Sequence, residues 1–131
     1  MLMRIALAAL AISASTGFVA AQEVSLVGTW SGERQRIAKD DGYRDGPATL
    51  VITEQKGRTF KGYLTRSNKD GDVKEDLWGA FTPNGRMMVG SDEEGFYWFS
   101  LVNPNILDYC YSEAGKTART TCASVTRQQK K

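Results

Sequence analysis

The sequence predicts an all-β protein, a small antiparallel up-and-down barrel of eight strands. Three observations predict it. Turn residues recur at short intervals along the chain. Between them apolar residues alternate with period two, as they do in a strand with one buried face. Few stretches carry the 3.6-residue period of an amphipathic helix. A sandwich of two sheets shares these features and is the alternative architecture.

The first 21 residues stand apart from this pattern. Arg4 supplies one positive charge, Ile5 to Ile12 is an apolar run with four alanines, and Ser13 to Gly17 is small and polar. Val19-Ala20-Ala21 then offers small residues at the positions a signal peptidase reads. These are the three regions of a secretory leader, with cleavage expected after Ala21. The apolar run is far short of the roughly 20 residues that span a bilayer. The expectation is a protein exported to the periplasm or the medium, with residues 22–131 as one barrel domain and no membrane span.

Eight strands are expected, in order: Leu26 to Arg34, Ala48 to Gln55, Thr59 to Arg66, Glu75 to Thr82, Arg86 to Ser91, Phe96 to Val102, Ile106 to Glu113, and Arg119 to Arg127. Leu50 and Ile52 share a face in the second. Phe60, Gly62 and Leu64 do so in the third, and Leu77, Gly79 and Phe81 in the fourth. Gly62 and Gly79 thus fall between large apolar residues on the core side. They read either as bends for tight coiling or as room for a ligand. Lys56-Gly57, Asp70-Gly71-Asp72, Pro83-Asn84-Gly85, Glu94-Gly95 and Asn103-Pro104-Asn105 connect the strands. Asn84-Gly85 is a strong hairpin signal, because both residues tolerate positive φ. Gln35 to Gly46 is polar, with three basic and three acidic residues at Arg36, Lys39, Arg44, Asp40, Asp41 and Asp45, and is expected to be a long mobile loop. Eight strands in a meander can close and so leave no exposed edge. Their interior has room for side chains or one small ligand.

Cys110 and Cys122 are twelve residues apart and symmetric about Lys116, in the turn-like stretch Ala114 to Thr117. A hairpin folded there sets them opposite one another. An oxidising compartment favours their pairing, and a loop of this size contributes about 3 kcal/mol in the chain-entropy view.

The segment Leu26-Val27-Gly28-Thr29-Trp30-Ser31-Gly32 resembles the first strand of calycin-type barrels, the lipocalins and avidins. In those families a Gly-x-Trp opens the barrel, the Trp plugs its closed end, and a basic residue of the last strand packs over the ring. The resemblance implies a buried structural Trp30 with Arg127 above it, a favourable cation–π pair. The chain is shorter than a lipocalin, and it lacks the lipocalin helix and the avidin Trp-Leu-Leu. The resemblance therefore carries the architecture and not biotin binding.

Composition narrows the chemistry. The chain has 17 basic and 15 acidic residues and no histidine. Without Arg4 the balance is close to neutral, and no basic stripe marks a nucleic-acid binder. The absence of histidine removes Ser-His-Asp and Cys-His catalysis and the usual zinc sites. Paired cysteines leave no thiolate nucleophile. The carboxylates Asp92, Glu93 and Glu94 fall at a hairpin tip. Asn68 to Asp72 echoes part of a calcium loop but lacks the final bidentate Glu at the right spacing. No enzyme, cofactor or metal is expected. The aromatic residues are the most informative set. Tyr97 and Phe99 share one face of the sixth strand, Tyr109 and Tyr111 one face of the seventh, and Trp78 lies on the fourth. These five are the candidate ligand-binding residues, because tyrosine and tryptophan join apolar area to a polar tip. The expected function is an exported, non-enzymatic binding protein that holds a small apolar or aromatic ligand. The alternative is a module that binds an extracytoplasmic protein, for example an inhibitor of a secreted hydrolase. An open lumen favours the first, and a filled barrel with an exposed aromatic patch the second.

Overall fold

In the computed structural model, residues 24–68 and 70–129 are described. The expected leader and its expected cleavage point lie outside them. Eight strands form one closed barrel: β1 (Gly28–Ala38), β2 (Gly42–Lys56), β3 (Thr59–Asn68), β4 (Gly71–Phe81), β5 (Met88–Ser91), β6 (Phe96–Asn103), β7 (Ile106–Glu113) and β8 (Arg119–Arg127). Each pairs antiparallel with its successor, and β8 returns to β1, with Trp30 opposite Arg127 and Ala38 opposite Arg119. This is the up-and-down barrel that the turn spacing predicts. The sheet closes without an edge. Among the described residues no helix is long and apolar enough to cross a membrane.

Alternation fixes what fills the interior. Trp30, Leu50, Ile52, Leu77, Met88, Phe99, Leu107 and Val125 each show at most 2% of their surface, and they form the lower core. Phe60 meets Phe81 and Phe99 edge-on at 6.2 and 5.7 Å. Phe99 stacks on Tyr97 at 5.4 Å, and Tyr97 leans on Tyr111 at 4.6 Å. A continuous column of rings thus climbs the lumen. The two strand glycines serve this packing. A Cβ on Gly79 would lie 2.3 Å from the Phe60 ring, and one on Gly62 would lie 2.0 Å from the Val51 carbonyl oxygen. Their space is occupied by protein, so they allow tight coiling rather than a ligand chamber.

At the base, Trp30 is fully buried and its indole N–H donates to the Leu26 carbonyl at 3.0 Å. The Arg127 guanidinium lies over the ring, 4.2 Å from its centroid. It also donates to the carbonyls of Ser25, Val27 and Pro104, at 2.6, 2.9 and 3.3 Å. One cation therefore ties the entering strand and the β6–β7 turn across the barrel floor.

Two expectations need correction. Residues 35–46 are not a long loop. β1 and β2 continue through them as a hairpin, with Arg36 opposite Arg44 and only residues 39–41 between the strands. Their inward side chains are polar, so no apolar alternation marked them as strand. Asn84-Gly85 does lie in a hairpin connection, that of the antiparallel pair β4 and β5, as its turn chemistry predicts. Only Gly85 has positive φ, at 71°, and β4 and β5 are joined by residues 82–87, held by Thr82 N–H to Met87 O at 2.8 Å. The expected strand from Arg86 is correspondingly shorter. The cysteines behave as their symmetry predicts. Cys110 and Cys122 are direct cross-strand partners on β7 and β8 and form a disulfide, with a short 3₁₀ turn at Gly115–Thr117 closing the hairpin.

Candidate functional site

The barrel is apolar at its Trp30 end and polar at the other. The change comes within single strands. β1 carries Trp30 at the base and then turns Arg34 and Arg36 inward, 1% and 5% exposed. β3 follows Leu64 with Arg66, and β8 follows Val125 and Ala123, read backwards, with Thr121 and Arg119. β4 adds Glu75. Side chains two apart share a face, so these groups converge on the lumen with Tyr97, Tyr109 and Tyr111. Together with Leu64 they line a small cavity of about 10 Å³, room for roughly one water.

The charges there are unevenly matched. Arg66 Nη2 bonds Glu75 Oε1 at 2.8 Å, and Arg119 pairs with Glu113. Arg34 donates from Nη2 to the Ser67 carbonyl at 2.8 Å, but its Nε and Nη1 are buried with no hydrogen-bond partner. Arg36 Nη2 reaches Asp41 only at 3.7 Å, and its Nε and Nη2 have no hydrogen bond. The Tyr97 and Tyr109 hydroxyls are likewise buried and unmatched. Tyr111 differs, since it donates to Asp92 Oδ1 at 3.2 Å, an oxygen that also accepts from the Glu94 and Gly95 N–H groups. Buried polar groups are nearly always hydrogen-bonded, so four such side chains around one cavity are exceptional.

Burial shapes the ionisation of these groups. It lowers the affinity of Arg34 for its proton, and the neighbouring cations Arg66 and Arg36 lower it further. Arg36 is lowered by burial too, partly offset by Asp41. Burial pushes the Tyr109 hydroxyl up to about 12, outweighing the downward pull of Arg34 and Arg66. It raises Tyr97 and Tyr111 further, with Asp92 adding to both. All three phenols are neutral donors at physiological pH.

Of the five aromatic candidates, the structure brings Tyr97, Tyr109 and Tyr111 together at the cavity. Phe99 is one step deeper, stacked beneath Tyr97 in the core. Trp78 is not at the site. Leu77 and Gly79 face inward on β4, which turns Trp78 outward with 49% of its surface exposed. The arginines were missed because inward-facing charge breaks the apolar alternation by which inner faces are recognised. The available signal was their period-two phase with Trp30, which puts Arg34 and Arg36 on the same face of the strand as the buried ring. Two clefts flank the cavity at the same end. One, of about 80 Å³, shares Arg36 and Arg119 with it and adds Asp40, Asp41 and Ala118. The other, of about 190 Å³, shares Glu75 and adds Asp92 to Glu94.

No protein-family model matches the chain, and no curated protein matches its sequence. Solved structures do match its fold. A redesigned β-barrel, b11L5F_LGL, superposes with a TM-score of 0.61 at 12% identity, over 79% of this chain and 92% of its own. The S-type phycobiliprotein lyase CPES from Guillardia theta gives 0.58 at 9% identity, over 81% and 90%. EF1p2_mFAP2b, solved bound to DFHBI, gives 0.56 at 14% identity, over 79% and 94%. At these identities the likeness establishes a shared architecture. The chain has the fold of small closed eight-stranded β-barrels.

Proposed function

We propose that this is an exported, non-enzymatic binding protein that takes a small ligand at the arginine–tyrosine end of its barrel. One observation carries the reading: Arg34, Arg36, Tyr97 and Tyr109 hold buried polar atoms without partners, and all four line one cavity. Leaving such groups unmatched costs about 1–3 kcal/mol each, more where charge is involved. A fold carries that cost most readily where something else supplies the missing partners. Barrels of this architecture include one that holds a small molecule, DFHBI. The disulfide suits an oxidising compartment outside the cytoplasm.

The test is a thermal-shift screen of small aromatic and polar compounds, run on the wild type and on Tyr97→Phe and Tyr109→Phe. A ligand that binds only the folded state raises Tm in a concentration-dependent way. The expected result is saturable stabilisation by some compounds that either substitution weakens. Saturable binding unaffected by both would remove this site.

A second reading rests on the outer surface. Trp78, Val89, Phe96 and Trp98 are 46–66% exposed on β4 to β6, and Trp98 sits directly opposite both Val89 and Cys110. Exposed apolar patches mark docking surfaces, and the lumen is largely filled. This favours a module that binds an extracytoplasmic protein. Recovery of one partner by pull-down, lost in Trp98→Ser, would support it.

A further inference from the structure

The orphaned groups are donors, and the strongest are cationic. Arginine carries five N–H donors and no acceptor, and it stays charged in proteins. The ladder sets no acid opposite Arg34 or Arg36, and the acid near Arg36, Asp41 from the β1–β2 turn, stands 3.7 Å from its Nη2, beyond hydrogen-bond distance. Arg34 faces Gly46 on β2 and Ala123 on β8, while Arg36 faces Arg44 and Thr121. The lumen's own acids are engaged elsewhere, Glu75 with Arg66 and Glu113 with Arg119. Asp92 is taken up by Tyr111 and its own turn. The cavity thus has surplus positive charge, two neutral hydroxyl donors, and an aromatic wall.

We infer that the ligand of this barrel is a small organic carboxylate, whose carboxyl group docks on Arg34 and Arg36 beside the Tyr97 and Tyr109 hydroxyls. The inference rests on the small-ligand reading and specifies its chemistry. A guanidinium fork matches a carboxylate in shape as well as charge. A carboxylate offers acceptors only, which is what four unmatched donors require. Size agrees: the inner cavity admits about one oxygen-sized atom, and Arg36 and Arg119 extend from it into the adjoining cleft, where the body of the ligand lies. A purely apolar ligand would leave every orphaned donor unmatched. This narrows the small apolar or aromatic ligand expected from the aromatic residues to an anionic one whose carboxyl group meets Tyr97 and Tyr109.

Calorimetric titration with benzoate, benzamide and benzyl alcohol at constant ionic strength tests this. Benzoate is expected to saturate at least about tenfold more tightly than either neutral analogue, in keeping with the greater strength of charge-assisted bonds. Arg34→Met is expected to weaken benzoate at least about tenfold while leaving the ligand-free Tm unchanged or higher, because it removes an uncompensated buried charge. A merely structural arginine would instead lower Tm. Arg34→Lys, which keeps the charge without the fork, should bind benzoate with intermediate affinity and guards against misfolding of the Met variant. Equal binding of benzoate and benzamide would overturn the anionic ligand but keep a small-ligand barrel. Benzoate binding untouched by both Arg34 variants would overturn the assignment to this site. Binding of none of the three would overturn the inference, and a blank thermal-shift screen besides would overturn the broader reading.

Discussion

Trp30 and Arg127 show how one residue pair closes an end of the barrel. The ring fills the floor, and the guanidinium above it collects three carbonyls from two segments. Trp30→Ala should cost about 3–5 kcal/mol, the range for large buried aromatics. Denaturant titration checks this, and a loss within about 0.5 kcal/mol would contradict it. At the other end, the tyrosines set a pH dependence. The Tyr109 hydroxyl, held up to about 12 by burial in the folded state, ionises near 10 in the unfolded chain. Above about pH 10 the unfolded chain therefore binds fewer protons than the folded one, and stability falls as pH rises through that window. Tyr97 and Tyr111, raised further by burial, act in the same direction. Denaturation midpoints measured from pH 8 to 12 should decline from about pH 10 upward, and less steeply in Tyr109→Phe. Gly-x-Trp made the floor legible in the sequence. The orphaned arginines were not legible, because sequence shows that a residue is charged but not that its neighbours fail to pair with it.

At the scale of elements, turn chemistry marked most boundaries and missed where polar faces turn inward. The β7–β8 hairpin was read from the cysteine spacing, since symmetry about a turn is a geometric constraint that survives without coordinates. Replacing Cys110 and Cys122 by Ser should cost about 3 kcal/mol through the added freedom of the unfolded chain. Denaturation with and without reductant checks this, and equal midpoints would contradict it. Residues 35–46 of the β1–β2 hairpin read as a loop because Arg36 and Arg44 occupy inward positions where strand patterns lead one to look for Val or Leu. β3 and β4 meet through Gly79 and Phe60. Gly79→Val should cost about 1–3 kcal/mol by overpacking against the ring, seen as a lower Tm. An unchanged Tm would show that the ring yields freely.

The whole molecule divides into a packed half and a poised half. Up-and-down closure puts the aliphatic core at the Trp30 end, runs the ring column up the lumen to Tyr97 and Tyr111, and gathers at the other end the donors that the lumen leaves unmatched. Eight strands and their order were legible, because period-two alternation and regular turns admit few arrangements. Which aromatic faces point inward was not, because strand phase depends on pairing across the barrel. That phase sends Trp78 out and brings Tyr97, Tyr109 and Tyr111 together. Export belongs to this scale as well: intact mass of the secreted protein should begin at Gln22, and a mass including the first 21 residues would contradict it. The central claim is that the poised end is built to hold a small molecule. Native mass spectrometry of the protein isolated from its own host tests it most directly. The account predicts a retained adduct of small-molecule mass that Tyr109→Phe and Arg34→Met diminish. A ligand-free mass throughout, with a single protein partner co-purifying, would contradict it.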